Sequence, residues 1–196
     1  IKYIECCNEP ELSSFGALNG EEYYKIYMTA YRAVKTLNKT RGYDIPLLIG
    51  GDGVPSPLVR IDLWNGFLKL LSETKTEEAP IDFYSYHHYD IGARSNLLRA
   101  GFVKESDETG IVGRYRMISE LHEQLRRKYG LPRAPLLMDE WGKGSATGNL
   151  YDNLLNATGN IITMNGQVHG VLGDFKTFPW CTFHNPELQI SYTQYT

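Results

Sequence analysis

The feature that most constrains this chain is a rhythm in which short, nearly continuous apolar runs alternate with longer stretches whose apolar residues recur at helical spacing. The runs are Ile1–Cys7, Ile45–Gly51, Ile81–Tyr86, Pro135–Asp139 and Asp174–Trp180. Runs of that length and character suit strands covered on both faces, the environment of a parallel sheet. Between them, Asn19 followed by Glu22 has the pattern of a capping box. Tyr23, Ile26, Tyr27, Ala30, Val34 and Leu37 then mark one helical face, up to Gly42 and Asp44. Ser56-Pro57 opens a second helix with Val59, Leu63, Phe67, Leu70 and Leu71 as its stripe. A polar loop from His87 to about Glu108 precedes a third, with Ile111, Tyr115, Ile118, Leu121 and Leu125 inward and Gly130 as its stop, and a weaker fourth covers about 150–165. Alternating strands and helices imply parallel βαβ units and an α/β class.

Two α/β architectures compete, the doubly wound sheet and the closed barrel. A doubly wound nucleotide binder carries a glycine-rich phosphate loop after a strand, and Gly50-Gly51-Asp52-Gly53 is too short a match to either common form. The expected strand ends, at Glu9, Asp52, His87, Glu140 and Trp180, instead each present a polar or aromatic residue, as the C-terminal rim of a barrel does. Their separations of 43, 35, 53 and 40 residues imply ~340 residues for eight units, within the range of barrels with insertions. At 196 residues the chain is then about five-eighths of a (β/α)₈ TIM barrel, opening as though inside a strand. Such a piece alone would leave open sheet edges, so a fragment of a longer chain is one expectation.

Composition narrows the function. With 42% hydrophobic residues and 12% aromatic, the chain can bury a substantial core. The net charge of −3 and the scattered basic residues lack the footprint of a nucleic-acid binder. No apolar run approaches the roughly 20 residues of a membrane span. The three cysteines form neither an even disulfide framework nor a metal knuckle, and Cys6 and Cys7 are expected to pack on opposite faces of the first strand. Sequons at Asn38 and Asn156 are compatible with a secreted protein. His87 and His88 lack a completing ligand motif, so no catalytic metal and no cofactor are expected.

The chemistry rests on two glutamates. Asn8-Glu9-Pro10 follows the first apolar run, and Pro10 discourages further pairing, so Glu9 is held at the rim. Leu136 to Gly142 is a second such strand, ending in Glu140 with Trp141 beside it as a sugar-stacking surface. Glycoside cleavage needs one carboxyl protonated, to assist the leaving oxygen, and one ionised.

With those residues in hand, the chain resembles the clan A glycoside hydrolases, which are retaining barrels with Asn-Glu-Pro after strand four and a glutamate after strand seven. The segments Glu21–Gly51, Asp82–Tyr89, Glu140 and Trp180–Phe183 are similar to family 39, which holds β-xylosidases and α-L-iduronidases. The resemblance implies coverage of about strands four to eight, all 196 residues being the C-terminal part of one catalytic barrel, and a carbohydrate substrate. It implies Glu9 as acid/base, Glu140 as nucleophile, Asn8 as partner of the sugar 2-hydroxyl, His87 and Tyr89 as subsite lining, and Trp180 as the platform under the sugar. Trp180 is also a good barrel-filling residue. Asp139-Glu140-Trp141 departs from the xylosidase pattern, and Asp90–Arg94 is closer to the iduronidase side. The alternatives are therefore a β-xylosidase, an α-L-iduronidase, another clan A glycanase, or a non-catalytic carbohydrate-binding barrel fragment. A retaining enzyme sets its two carboxyls about 5 to 5.5 Å apart.

Overall fold

The computed structural model describes residues 2–54, 61–89, 111–142 and 175–179, with backbone alone at 88–89, 111–119, 141–142 and 175–179. Among the described residues the elements are β1 (Tyr3–Glu5), α1 (Gly20–Arg41), β2 (Leu48–Val54), α2 (Ile61–Glu73), β3 (Phe83–Tyr89), α3 (Ile111–Lys128), β4 (Leu136–Gly142) and β5 (Phe175–Pro179). All neighbouring strands pair in parallel, in the order β1-β2-β3-β4-β5. Sequential order means that the sheet never reverses direction, as a doubly wound sheet must at its switch point. With right-handed crossovers every helix falls on one face, and the sheet curls as the arc of a barrel. The helices pack side by side, α1 on α2 and α2 on α3. This is a parallel-stranded half-barrel.

Local chemistry explains the helix ends. The Asn19 side chain accepts from the Glu22 amide at 3.0 Å and the Glu22 carboxylate accepts from the Asn19 amide at 2.9 Å, which closes the expected capping box. At the other end Gly42 adopts a left-handed φ of 58° and donates its N–H to Asn38 O. Gly130, at φ 62°, stops α3 as anticipated.

The core lies between sheet and helices and is rich in aromatic residues: Tyr23, Tyr27, Trp64, Phe67 and Tyr84 are all fully buried. Two of the hydroxyls find partners, Tyr27 donating to Pro80 O at 2.9 Å and Tyr84 to Pro132 O at 2.8 Å, whereas among the described residues Tyr23 Oη and Trp64 Nε1 are buried with no hydrogen-bond partner. Tyrosines define the inward face of α1. Its buried stripe is Tyr23, Tyr27, Tyr31 and Val34, and the expected inward residues Ile26 and Leu37 are exposed instead. On α2, Trp64 and Leu68 join Leu63, Phe67 and Leu71 inside, while Leu70 is half-buried. No helix among the described residues is long and apolar enough to cross a membrane.

Several expected boundaries move. The first strand is Tyr3–Glu5 rather than Ile1–Cys7, so Cys6 and Cys7 lie beyond it, half-buried against the core. The second starts at Leu48, whose N–H finds Lys2 O at 2.7 Å, and runs through Gly51 to Val54, leaving Ile45 exposed. His87 to Tyr89 are strand rather than loop, because β4 extends to Gly142 and pairs with them. Asn38, one of the two sequons, uses both ends of its amide on the Leu47 backbone and so ties α1 to the entry of β2. The expected start of α2 at Ser56, the helix at 150–165 and Asn156 lie outside the described residues.

Candidate active site

Each strand pairing beyond β1–β2 slips by one residue near its C-terminal end. Gly51 pairs with Tyr84 but Val54 with Tyr86; Tyr86 pairs with Met138 but His87 with Glu140; Met138 pairs with Thr177 but Trp141 with Pro179. In β4 the same extra residue, in the Asp139-Glu140 step, is surplus to both neighbours. Regular strand geometry would send Asp139 and Glu140 to opposite faces, and a bulge relaxes that rule and re-aims side chains. Both carboxylates consequently reach one imidazole: Asp139 Oδ1 lies 3.7 Å from His87 Nε2 and Glu140 Oε2 lies 3.6 Å from His87 Nδ1.

Glu9 arrives from the loop after β1. Its N–H donates to Gly53 O at the end of β2, at 3.1 Å, and its own carbonyl accepts from Leu12 N at 3.0 Å. This ties down a residue whose φ of 41° is unusual for a side chain larger than glycine, a strain that neighbouring structure must hold in place. Gly53 is itself left-handed, φ 51°, and a Cβ there would come within 2.7 Å of Glu5 Oε1. The Glu9 Oε1 atom sits 3.0 Å from His87 Nδ1. His87 is buried, 2% exposed, so its imidazole is a fixed spacer between the two glutamates rather than a solvated side chain. One carboxylate oxygen of Glu9, one of Glu140 and a ring nitrogen of His87 all lie within 4.8 Å of one another.

Beneath this trio is a second acidic group. Ser85 Oγ donates to Glu5 Oε2 in a short hydrogen bond and accepts from Gly53 N at 3.3 Å. Glu5 in turn meets Asp139, and burial first, then the contact with Glu5 and the charge of Glu140, push the Asp139 carboxyl up to about 10. Asp52 is completely buried in β2, and that burial, with Glu5 and Glu11 nearby, holds it well above the usual carboxylate range. Asp52 is thus an interior acid within a strand, not a rim residue. Atoms of Glu5, His87 and Asp139 also lie within 4.8 Å of one another, so either His87-centred triplet is compact enough for a cation to bridge.

Of the residues expected from sequence, the structure brings Glu9, His87 and Glu140 together. Asn8 is exposed beside Glu9. Tyr89 pairs with Gly142 and Trp141 with His88 in the backbone register, their side chains lying outside the described residues, as does Trp180 entirely. Glu5, Ser85 and Asp139 were not anticipated as site residues. Asp139 stood next to Glu140 in the sequence, but only the slip in register reveals what it faces.

A singly wound parallel arc with carboxylates gathered at the C-terminal ends of its strands is the architecture of part of a (β/α)₈ barrel. No protein-family model and no curated sequence matches the chain. Solved structures do: a glucosidase from Croceicoccus marinus, at 19% identity and TM-score 0.64, covered over 96% of this chain and 34% of its own. A GH39 β-xylosidase from Caulobacter crescentus matches at 20% identity and TM-score 0.59, covering 91% and 32%. The GH39 enzyme from Xanthomonas axonopodis pv. citri matches at 21% and 0.58, also covering 91% and 32%. The chain therefore has a fold like that of these GH39 enzymes and the glucosidase, and it spans about a third of the length of these neighbours.

Proposed function

We propose that this chain is the catalytic part of a retaining glycoside hydrolase, β-xylosidase-like, in which Glu9 is the acid/base and Glu140 the nucleophile. The observation that carries this reading is the approach of a Glu9 and a Glu140 carboxylate oxygen to within 4.8 Å at one end of a parallel sheet. That approach supports the roughly 5 to 5.5 Å carboxyl separation of enzymes whose nucleophile attacks the sugar directly over the ~6.5 to 9.5 Å of inverting ones. The neighbours' glycosidase fold supports a carbohydrate substrate.

In the first step Glu9 gives its proton to the glycosidic oxygen as a Glu140 oxygen bonds to the anomeric carbon, and the leaving alcohol departs. In the second, Glu9 takes a proton from water, which attacks the anomeric carbon and releases Glu140. Asn8, adjacent to Glu9, is assigned to the sugar 2-hydroxyl, and Trp141 and Trp180 to its apolar face. His87 keeps the two glutamates apart and oriented. An iduronidase would need a cation for the substrate carboxylate, and Arg94 or Lys143, both outside the described residues, are the candidates.

The test is hydrolysis by the intact protein of aryl β-xyloside, aryl α-L-iduronide and xylan, with the anomer of the first product followed by proton NMR. Release of single sugars with retained configuration is expected from the xyloside. An inverted product removes the assigned mechanism, and turnover of the iduronide alone, lost tenfold or about 1.4 kcal/mol in Arg94→Ala or Lys143→Ala, moves the specificity.

A further inference from the structure

Two acids in mutual contact beneath a catalytic pair demand an account of where their proton goes. One carboxyl oxygen of Glu5, on β1, lies within 4.8 Å of one of Asp139, on β4, and Ser85 of β3 donates to Glu5. Two carboxyls in such contact hold one proton between them, because both cannot be ionised so close together. Ser85 already supplies a donor to Glu5, whereas Asp139 is desolvated by burial and has a further acid, Glu140, next to it in the chain. The proton therefore belongs on Asp139.

Its position dictates the next bonds. A neutral Asp139 that donates to Glu5 leaves Oδ1 as an acceptor, and Oδ1 is the atom aimed at His87 Nε2, 3.7 Å away. That separation is longer than a hydrogen bond, as catalytic contacts often are before substrate closes the site. An imidazole protonated at Nε2 has a bare Nδ1, which can only accept. The atom 3.0 Å from Nδ1 is Glu9 Oε1, so Glu9 must be the donor.

We propose that Asp139 is a positioning residue held as the neutral acid by its buried setting and its contact with Glu5, and that through His87 it keeps the catalytic proton on Glu9 while Glu140 stays ionised. The inference rests on the glycosidase reading and supplies what that reading lacks, a reason why Glu9 rather than Glu140 is the acid. Among the described residues, the other groups that approach Glu5 are acidic or neutral. Asp52 and Cys6 approach Glu5 from β2 and the end of β1, buried Tyr23 approaches from α1, and Glu11 approaches Asp52. The titratable residue of β5, Lys176, stands at the register of Leu137.

The experiment is the pH profile of kcat/KM on phenyl xyloside for the intact protein, Glu5→Gln, and Glu5→Gln/Asp139→Asn. Removing the Glu5 charge leaves the burial of Asp139 in place but takes away its acidic partner, so Asp139 ionises more readily beside His87 and Glu140. The acid limb then rises, because Glu140 is harder to ionise, and the basic limb falls, because an imidazolium draws the proton from Glu9. Each limb should move by about one pH unit, tenfold in rate on that limb. The double variant, with a neutral amide in place of the neutral acid, should return both limbs to their original positions. A uniform loss at every pH in Glu5→Gln, or a double variant as narrow as the single one, overturns the proposal. Carboxyl ¹³C NMR of the unsubstituted intact protein provides a readout independent of turnover and of variant folding. Asp139, assigned by its loss in Asp139→Asn, should show no titration from pH 4 to 8, and a midpoint near the ordinary aspartate value of about 4 also overturns it. If phenyl xyloside, aryl iduronide and xylan are all refused yet the Asp139 signal stays that of the neutral acid, the glycosidase reading falls while the proton placement stands.

Discussion

The helix layer and the strand rim of this half-barrel are built on opposite rules. In the layer, the rings of Tyr23, Tyr27 and Phe67 pack with centroids 4.8 to 6.3 Å apart, and the hydroxyls of Tyr27 and Tyr84 end on backbone carbonyls. At the rim, Glu5, Glu9, Asp139 and Glu140 crowd one histidine, the register slips, and Glu9 holds a left-handed backbone. One region lowers the free energy of the fold, whereas the other stores repulsion and strain that the first must hold. The difference teaches that a carboxylate cluster of this kind exists because a rigid scaffold enforces it, so the two regions should respond oppositely to substitution.

The sharpest break between them is expected at Glu140. Replacing it by alanine should lower kcat by about 10⁴-fold, on the order of 5 kcal/mol of transition-state stabilisation, without lowering the denaturation midpoint, because a like charge leaves the cluster. Added azide should restore turnover with an inverted glycosyl azide as product, while Glu9→Ala with azide should give the retained one. The same product from both variants would undo the division of roles.

The layer should show the converse. Trp64, fully buried against Tyr86 and His122, fills a volume no neighbour can reclaim, and Trp64→Ala should cost about 3–5 kcal/mol in urea unfolding. A change under 1 kcal/mol would mean that α2 contributes little to the fold.

His122 makes the layer sensitive to acid. Burial between Trp64 and Tyr84 lowers it from 6.5 to about 3, so it stays neutral in the folded protein after the unfolded chain has begun to take up a proton. Its contribution is intact above pH 6.5 and is lost as the pH falls toward 3, by about 2 kcal/mol at pH 5. His122→Phe should flatten the stability profile between pH 6.5 and 5. An unchanged slope there would assign the acid lability to the rim.

The smallest effect is local. Asn19→Ala removes the capping box of α1 and should cost about 1 kcal/mol, with pH dependence and kcat/KM preserved. A larger loss of activity than of stability would show that α1 transmits strain to the Glu9 loop.

Features that depend on neighbours in sequence were legible from the chain alone. Asn19 and Glu22 are three residues apart and close a ring within one helical turn; Gly130 ends α3 by its own conformational freedom. Features that depend on partners were less so. The expected strand boundaries erred because a strand ends where its neighbour stops pairing, as His87 to Tyr89 do opposite Glu140 to Gly142. The expected stripe of α1 erred because hydrophobicity ranks Ile26 and Leu37 above tyrosine, whereas the fold turns the helix to bury Tyr27 and Tyr31 with their hydroxyls near carbonyls.

By itself, then, the order of residues determined a parallel α/β arc and named Glu9, His87 and Glu140, because alternating apolar periodicity and a polar residue at the end of a buried run are properties of single segments. The tertiary structure alone decided that Asp139 and Glu140 face the same imidazole and that Glu5 and Ser85, 80 residues apart, share a hydrogen bond beneath them. Those contacts depend on a one-residue slip between strands, which follows from the summed fit of three neighbouring strands, and no single segment encodes that fit.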